Sequence, residues 1–208
     1  MEITFKGGNS ILLTSKTGSI IFDNNQKALG LPEVKAKNVK AVFQSMDGVA
    51  RPVADALFFD GPGEYEVDGF SVTGIPARAH MDAEGGHTAT IFRIDTLDAT
   101  VLITGHIYPK LTEEELEKIG MVDILIAPVG GAGYTLDPEG AASIVKKVGP
   151  KVVIPTHYKQ SGVNYEVPQG EIKDFIIEMG GTAEKMDKFK VKGGLLSETL
   201  QVIELERS

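Results

Sequence analysis

VDILIAPVGGAGYTLDPEGAASIVKKVGPKVVIPTHY, Val122 to Tyr158, contains two apolar runs that flank a helical pattern. The runs DILIAP and KVVIP are short, apolar and rich in branched side chains, which is typical of strands buried on both faces. Between them, Asp137 can cap a helix that has Pro138 at its first position and Gly149 after its end. The stretch therefore predicts a strand, a helix and a second strand, with His157 just past the second strand.

Short strand patterns dominate the chain before this stretch. EITFKG, SILLTS, GSIIFD, KAVFQS and ALFFDG each read as one strand, and two longer runs read as hairpins that turn at Asp68-Gly69 and within TLDA. The segment LTEEELEKIG predicts a short helix with Thr112 as N-cap and Glu115 as the partner in a capping box. After His157 we expect one more helix and a closing strand.

This order of elements indicates the fold class. Many strands followed by alternating strands and helices predict an α/β protein in which helices cover sheets and strand ends meet at one edge. No internal repeat, low-complexity tract or linker interrupts the chain. We therefore expect residues 1–208 to form a single domain.

Composition excludes several classes of function. The chain has no cysteine, so disulfides, iron–sulfur ligation and thiol nucleophiles are excluded, and any metal must be held by His, Asp or Glu. Its net charge of −8 disfavours nucleic acid as a partner and argues against a phosphorylated substrate. No signal pattern or membrane-length apolar run is present. We expect a soluble, cytoplasmic protein.

Four histidines are candidate site residues: His80, His87, His106 and His157. Three of them follow predicted strands, and only His87 lies in a glycine-rich loop where we expect it to be solvated. Strand ends that share an edge would bring His80, His106 and His157 together. Three imidazoles can hold one metal ion with a position left for water, although spacing alone equally allows three unrelated loop histidines.

Other motifs that carry chemistry are missing. The segment GGAG, residues 130–133, is followed by no Lys-Ser or Lys-Thr pair, so it is not a phosphate loop. The chain has no GxSxG elbow and no HExxH helix. The histidines therefore remain the best candidates for a functional site.

Several stretches together resemble a known family. FKGGNSILLTS, SIIFD, GPGEYEV, VDILIAPVGG and IPTHY are similar to the metallo-β-lactamase superfamily, and the likeness extends over nearly the whole chain. The branch that it resembles most is the L-ascorbate-6-phosphate lactonase-like group of predicted Zn-dependent hydrolases. The resemblance implies a four-layer αββα sandwich with a metal cleft at one edge of the sheets.

The chain departs from this family at the metal ligands. The HxHxDH motif that the resemblance implies falls on Gln44, Met46, Gly48 and Val49, and none of these is a good zinc ligand. An early histidine of the family is also missing at GGNS, and the bridging aspartate is replaced by His106. Two implied ligands survive, because His80 stands near the third-motif histidine and His157 matches the last one.

Two hypotheses follow. In the first, the chain is a divergent hydrolase with a remodelled site of His80, His106 and His157 that holds at most one divalent ion, zinc or similar, with Asp47 as an optional further ligand. In the second, it is a non-catalytic member of the fold that binds a small molecule or a protein partner. The sequence leaves open whether the protein is an enzyme, which substrate it uses and how it oligomerises.

Overall fold

The computed structural model describes residues 1–34, 38–193 and 196–208. Within these ranges the chain forms two β-sheets and three α-helices. In chain order the elements are β1 (Glu2–Gly7), β2 (Ser10–Thr14), β3 (Ser19–Phe22), β4 (Val39–Phe43), β5 (Leu57–Phe59), β6 (Gly63–Val67), β7 (Phe70–Ala77), β8 (Ala89–Asp95), β9 (Thr100–Ile103), α1 (Glu113–Ile119), β10 (Ile124–Pro128), α2 (Pro138–Val148), β11 (Val152–Thr156), α3 (Ile172–Glu178), β12 (Glu184–Met186), β13 (Phe189–Lys190) and β14 (Gln201–Leu205). None of the helices in these ranges is long and apolar enough to cross a membrane.

The first sheet has the strand order β13-β1-β2-β3-β4-β5. Strands β1, β2 and β3 form an antiparallel meander, whereas β3, β4 and β5 run parallel. Phe22 pairs with Phe43, and Phe43 pairs with Phe59, so these three strands end side by side. The residues that follow them, including Asp23 and Gln44, therefore lie at one edge of the sheet.

The second sheet has the order β12-β14-β11-β10-β9-β8-β7-β6. Its first half is an antiparallel meander from β6 to β9, and its second half is parallel. Ile126 pairs with Ile103 on one side and with Ile154 on the other. This register ends β9, β10 and β11 at the same edge, which brings the segments after them together.

The two sheets pack face to face through aromatic side chains. Phe92 of the second sheet lies 5.4 Å, between ring centroids, from both Phe22 and Phe43 of the first sheet. All three rings are fully buried. Helices α1 and α2 contact the second sheet, and α3 packs on α2.

The outer face of the first sheet has an apolar cluster of its own, which includes Ile21 and Val42. Val34, Val53 and Ala56, which lie outside helices and strands, pack against this cluster together with Phe58 of β5. The two packed sheets with helices confirm the predicted α/β class.

Helix termini follow the predicted capping patterns. The hydroxyl of Thr112 accepts a hydrogen bond from the Glu115 N–H at 3.2 Å, and the Glu115 carboxylate accepts one from the Thr112 N–H at 2.6 Å. The Asp137 carboxylate accepts a hydrogen bond from the Gly140 N–H at 2.7 Å. These caps satisfy backbone N–H groups that have no partner inside the helix.

Removal of the Phe92 side chain should test the aromatic contact between the sheets. We expect Phe92→Ala to lower the free energy of unfolding by about 3–5 kcal/mol, because it removes a fully buried ring and leaves a cavity. Leu97→Ala is the matched control, since Leu97 is fully exposed and its loss should change little. Urea unfolding measures both variants, and similar losses for the two would contradict this packing.

Candidate functional site

His106 lies three residues after the end of β9, in a bend that passes close to Ser45. Gly105 has a φ of +60°, and a side chain at this position would collide with the Ser45 side chain. The His106 side chain is buried, with only 2% of its surface exposed. Neither of its ring nitrogens has a hydrogen-bond partner in the described part of the chain. The bend thus holds an imidazole in the interior with both nitrogens unpaired.

His157 lies directly after β11 and is fixed by two neighbours. Its backbone has a φ of +49°, and its N–H donates a hydrogen bond to the Gly8 carbonyl at 2.7 Å. Its Nδ1 lies 3.1 Å from Oε1 of Gln169, and Nε2 of Gln169 donates to the Val167 carbonyl at 2.9 Å. Because this second bond orients the amide, Nδ1 of His157 carries the hydrogen and donates it. Nε2 is left with a free lone pair.

The two imidazoles face each other and are uncharged at neutral pH. Their ring centroids are 4.7 Å apart and their planes are nearly perpendicular. Burial lowers the pKa of His157 to about 4. Burial, and then the neighbouring His157 and His80, hold the pKa of His106 well below its usual value. Neutral imidazoles are the form that binds metals or accepts hydrogen bonds.

Both rings open onto one cavity of about 250 Å³, which we call the cleft. Aromatic, amide and carboxyl side chains share its wall with a few apolar ones. The lining residues are Asn9, Asp23, Asn25, Ala28, Leu29, Val49, His106, Tyr134, His157, Asn164, Tyr165, Glu166, Val167 and Gln169.

A buried hydrogen-bond network forms the base of the cleft around Asp23. The carboxylate accepts hydrogen bonds from the Ser45 N–H at 2.8 Å, the Ser45 hydroxyl at 2.7 Å and the Asn9 amide at 2.8 Å. Thr156 in turn donates to the Asn9 side-chain oxygen at 2.6 Å. Burial raises the pKa of Asp23 to about 6, and the hydrogen bonds from Ser45 and Asn9 oppose this rise.

His80 reaches the same sheet edge but does not line the cleft. Its backbone N–H donates to the His106 carbonyl at 2.7 Å, and its ring lies 6.2 Å from the ring of Tyr108. The Nδ1 of His80 is buried without a partner among the described residues. His87 and Asp47 are exposed, and neither lines the cleft.

The positions on which the resemblance places metal ligands take part in packing. Gln44 is buried, and its side-chain oxygen accepts a hydrogen bond from the Ala50 N–H at 3.3 Å. Val49 is buried in the cleft wall. Met46 pairs with Ala89 in an isolated β-bridge and packs against the core.

Among the cleft residues that the sequence did not indicate are Asp23, Tyr134, Tyr165 and Gln169. Asp23 had a usable signal, because it directly follows the predicted strand GSIIF and so should lie at a strand end. The other three lie in the irregular segments after β10 and β11, where no periodic pattern places a side chain.

A family model described as a β-lactamase superfamily domain matches residues 2–157, which is most of the chain. The chain belongs to this superfamily. No curated protein matches the chain by sequence.

Solved structures share the superfamily fold over the whole chain. A predicted Zn-dependent hydrolase from Thermotoga maritima has a TM-score of 0.75 and 23% identity, and the alignment covers 99% of this chain and 100% of that one. A predicted metal-dependent hydrolase from Parabacteroides distasonis has a TM-score of 0.65 and 15% identity, with coverage of 98% and 93%. An isothiocyanate hydrolase from Delia radicum gut bacteria has a TM-score of 0.65 and 12% identity, with coverage of 93% and 100%. At these identities the likeness shows a shared fold and not a shared activity.

The side chains do not fit the two-metal centre that the superfamily resemblance implies. Across residues 1–34, 38–193 and 196–208, no group of three or more His, Asp or Glu side chains is arranged to hold one ion. Two neutral imidazoles with free nitrogens, those of His106 and His157, do face one cavity. This pair fits at most one ion, and a third ligand from His80 stays a prediction.

Acidification should destabilise the fold through His157. Its pKa is about 4 in the folded chain and about 6.5 in the unfolded chain, so the unfolded chain binds more protons between these values. The stability that the neutral ring contributes is present above about pH 6.5 and is lost as the pH falls toward about 4. From about pH 7 to about pH 5 the loss should be about 2 kcal/mol.

Comparison with His157→Gln at each pH isolates this effect. Asp23 acts with the opposite sign, because its folded pKa is raised to about 6, but it is present in both proteins and cancels. Urea unfolding should show a smaller loss on acidification in His157→Gln, whereas the exposed-site control His87→Gln should behave like the wild type. Equal acid sensitivity in wild type and His157→Gln would refute a neutral, buried imidazole.

Proposed function

We propose that this chain is a divergent member of the metal-dependent hydrolase branch whose cleft binds at most one divalent ion, zinc or similar. His106 and His157 are its ligands, and His80 is the candidate third. The observation that supports this proposal most is that both nitrogens of His106 are buried without partners beside a second neutral imidazole. Buried polar groups usually have partners, so unpaired nitrogens facing a cavity favour a ligand there.

The protein's own residues prepare such a site in two ways. Gln169 accepts the Nδ1 hydrogen of His157 and leaves the Nε2 lone pair free, as outer partners of metal-binding histidines do. Burial keeps both imidazoles unprotonated, so little competition from protons is expected near neutral pH. When bound, a divalent ion would supply Lewis acidity and a more acidic bound water.

The absence of good zinc ligands at the positions where the resemblance implies them favours a second function, which is binding without catalysis. Gln44 and Val49 serve packing and hydrogen bonding, so the groups that support a bridging hydroxide in the family are not available. We therefore expect no β-lactam, lactone or phosphodiester hydrolysis above background with zinc or manganese supplied.

We propose the cytoplasm as the location because the chain lacks cysteine. We propose no nucleic-acid partner because the net charge of the chain is −8.

Thermal melts with zinc or nickel test the single-ion site. Near pH 7.5 we expect metal to raise the midpoint, because an ion that binds only the folded chain adds about 2.7 kcal/mol at a hundredfold excess over its dissociation constant. The rise should persist near pH 5.5, because burial holds the pKa of His157 at about 4 and that of His106 well below its usual value, and it should shrink only as the pH falls toward about 4. It should be lost in His106→Ala and His157→Ala and kept in His87→Ala. Flat melts in the wild type at both pH values would favour the non-catalytic alternative.

Gln169 provides a separate test of how His157 is oriented. Gln169→Leu removes the acceptor for Nδ1, so we expect zinc affinity to fall by about tenfold or more. Gln169→Glu keeps an acceptor and should keep most of the affinity, while its charge should raise the pKa of His157. Calorimetry gives the affinities and NMR titration gives the pKa. Unchanged zinc affinity in Gln169→Leu would contradict the positioning role.

A further inference from the structure

The charges in the cleft wall all have one sign. Asp23 and Glu166 are the charged residues among the described residues that line it, and no lysine or arginine is in that lining. Both donors to the Asp23 carboxylate, Asn9 and Ser45, are neutral. With a pKa raised to about 6 by burial, Asp23 is mostly ionised at neutral pH. A buried carboxylate without an opposing cation favours a positive ligand in the adjacent cavity.

The aromatic rings of the cleft favour the same sign of charge. Tyr134 and Tyr165 both lie near His157, with ring centroids 6.0 Å and 4.9 Å from the imidazole. Tyr134 also lies 5.0 Å from His106. The faces of such rings carry partial negative charge and attract cations.

We propose that the cleft selects small organic cations that carry a methylated ammonium group over carboxylates and phosphates of similar size. This inference rests on the proposed function in that it concerns the same cleft, and it gives that function a ligand class. The methylated form is favoured over a primary amine for two reasons. Asp23 already accepts three hydrogen bonds, and ring faces bind a cation without accepting directed hydrogen bonds.

Binding of choline to the 208-residue chain tests the sign of the ligand charge. Choline is compared with its uncharged isostere, in which carbon replaces nitrogen, and with acetate and inorganic phosphate. Calorimetry without metal should show choline bound about tenfold more tightly than the isostere, with the two anions weakest. Equal affinities for choline and the isostere, tighter binding of either anion, or no binding of choline would each overturn the inference.

Two pairs of variants locate the effect in the cleft. Tyr134→Leu removes a ring and should weaken choline binding by about threefold or more, whereas Tyr134→Phe keeps the ring and should not. Glu166→Gln removes a charge from the wall and should weaken choline but not the isostere, whereas the distant surface change Glu184→Gln should affect neither. Choline affinity that is the same in all four variants would place its binding elsewhere and overturn the inference.

A zinc titration of the same protein separates this inference from the single-ion proposal. Preference for choline without any zinc binding would support the ligand class and refute the metal site. Zinc binding that depends on His106, with no preference for choline over its isostere, would support the metal site and refute the ligand class.

Discussion

The buried carboxylate of Asp23 is the constraint on which the rest of the cleft depends. It follows β3 and accepts both hydrogen bonds of Ser45, which follows β4, so it fixes the ends of two parallel strands. Through Asn9 it is also linked to Thr156 at the end of β11, in the other sheet. Charge-assisted hydrogen bonds in the interior are strong, and removal of one partner is costly. This network therefore fixes the distance between the two sheets beside His157, which follows β11.

Much of the fold could be predicted because its signals are local. The capping box of Thr112 and Glu115 and the turn at Asp68-Gly69 depend on neighbouring residues, and the β-branched runs mark buried strands. The pairing of His106 with His157 followed from strand ends that share an edge. Side-chain directions in loops follow no such periodic pattern. The sequence could therefore place His80 at the sheet edge that it shares with His106, but it could not indicate whether the His80 ring faces the cleft.

The unpaired nitrogens of His106 lower the stability of the protein, and the fold itself does not require them. An unpaired buried polar atom costs about 1–3 kcal/mol, and both nitrogens of His106 are in this state among the described residues. An apolar side chain of similar size at this position would avoid that cost. Buried and charged groups that destabilise a fold are typical of functional sites, where a ligand supplies the missing partner.

Gln44 and His106 differ in how their polar side-chain atoms are satisfied. Gln44 stands where the resemblance implies a histidine, and its side-chain oxygen accepts a hydrogen bond from the Ala50 N–H within the same loop. His106 stands where the resemblance implies an aspartate, yet its ring makes no hydrogen bond with the described chain and faces a second neutral imidazole. Random loss of a site should produce residues like Gln44, which satisfy their polar groups locally. A ring held in the interior, kept neutral and left unpaired at the edge of a cavity is better explained by a ligand that completes it.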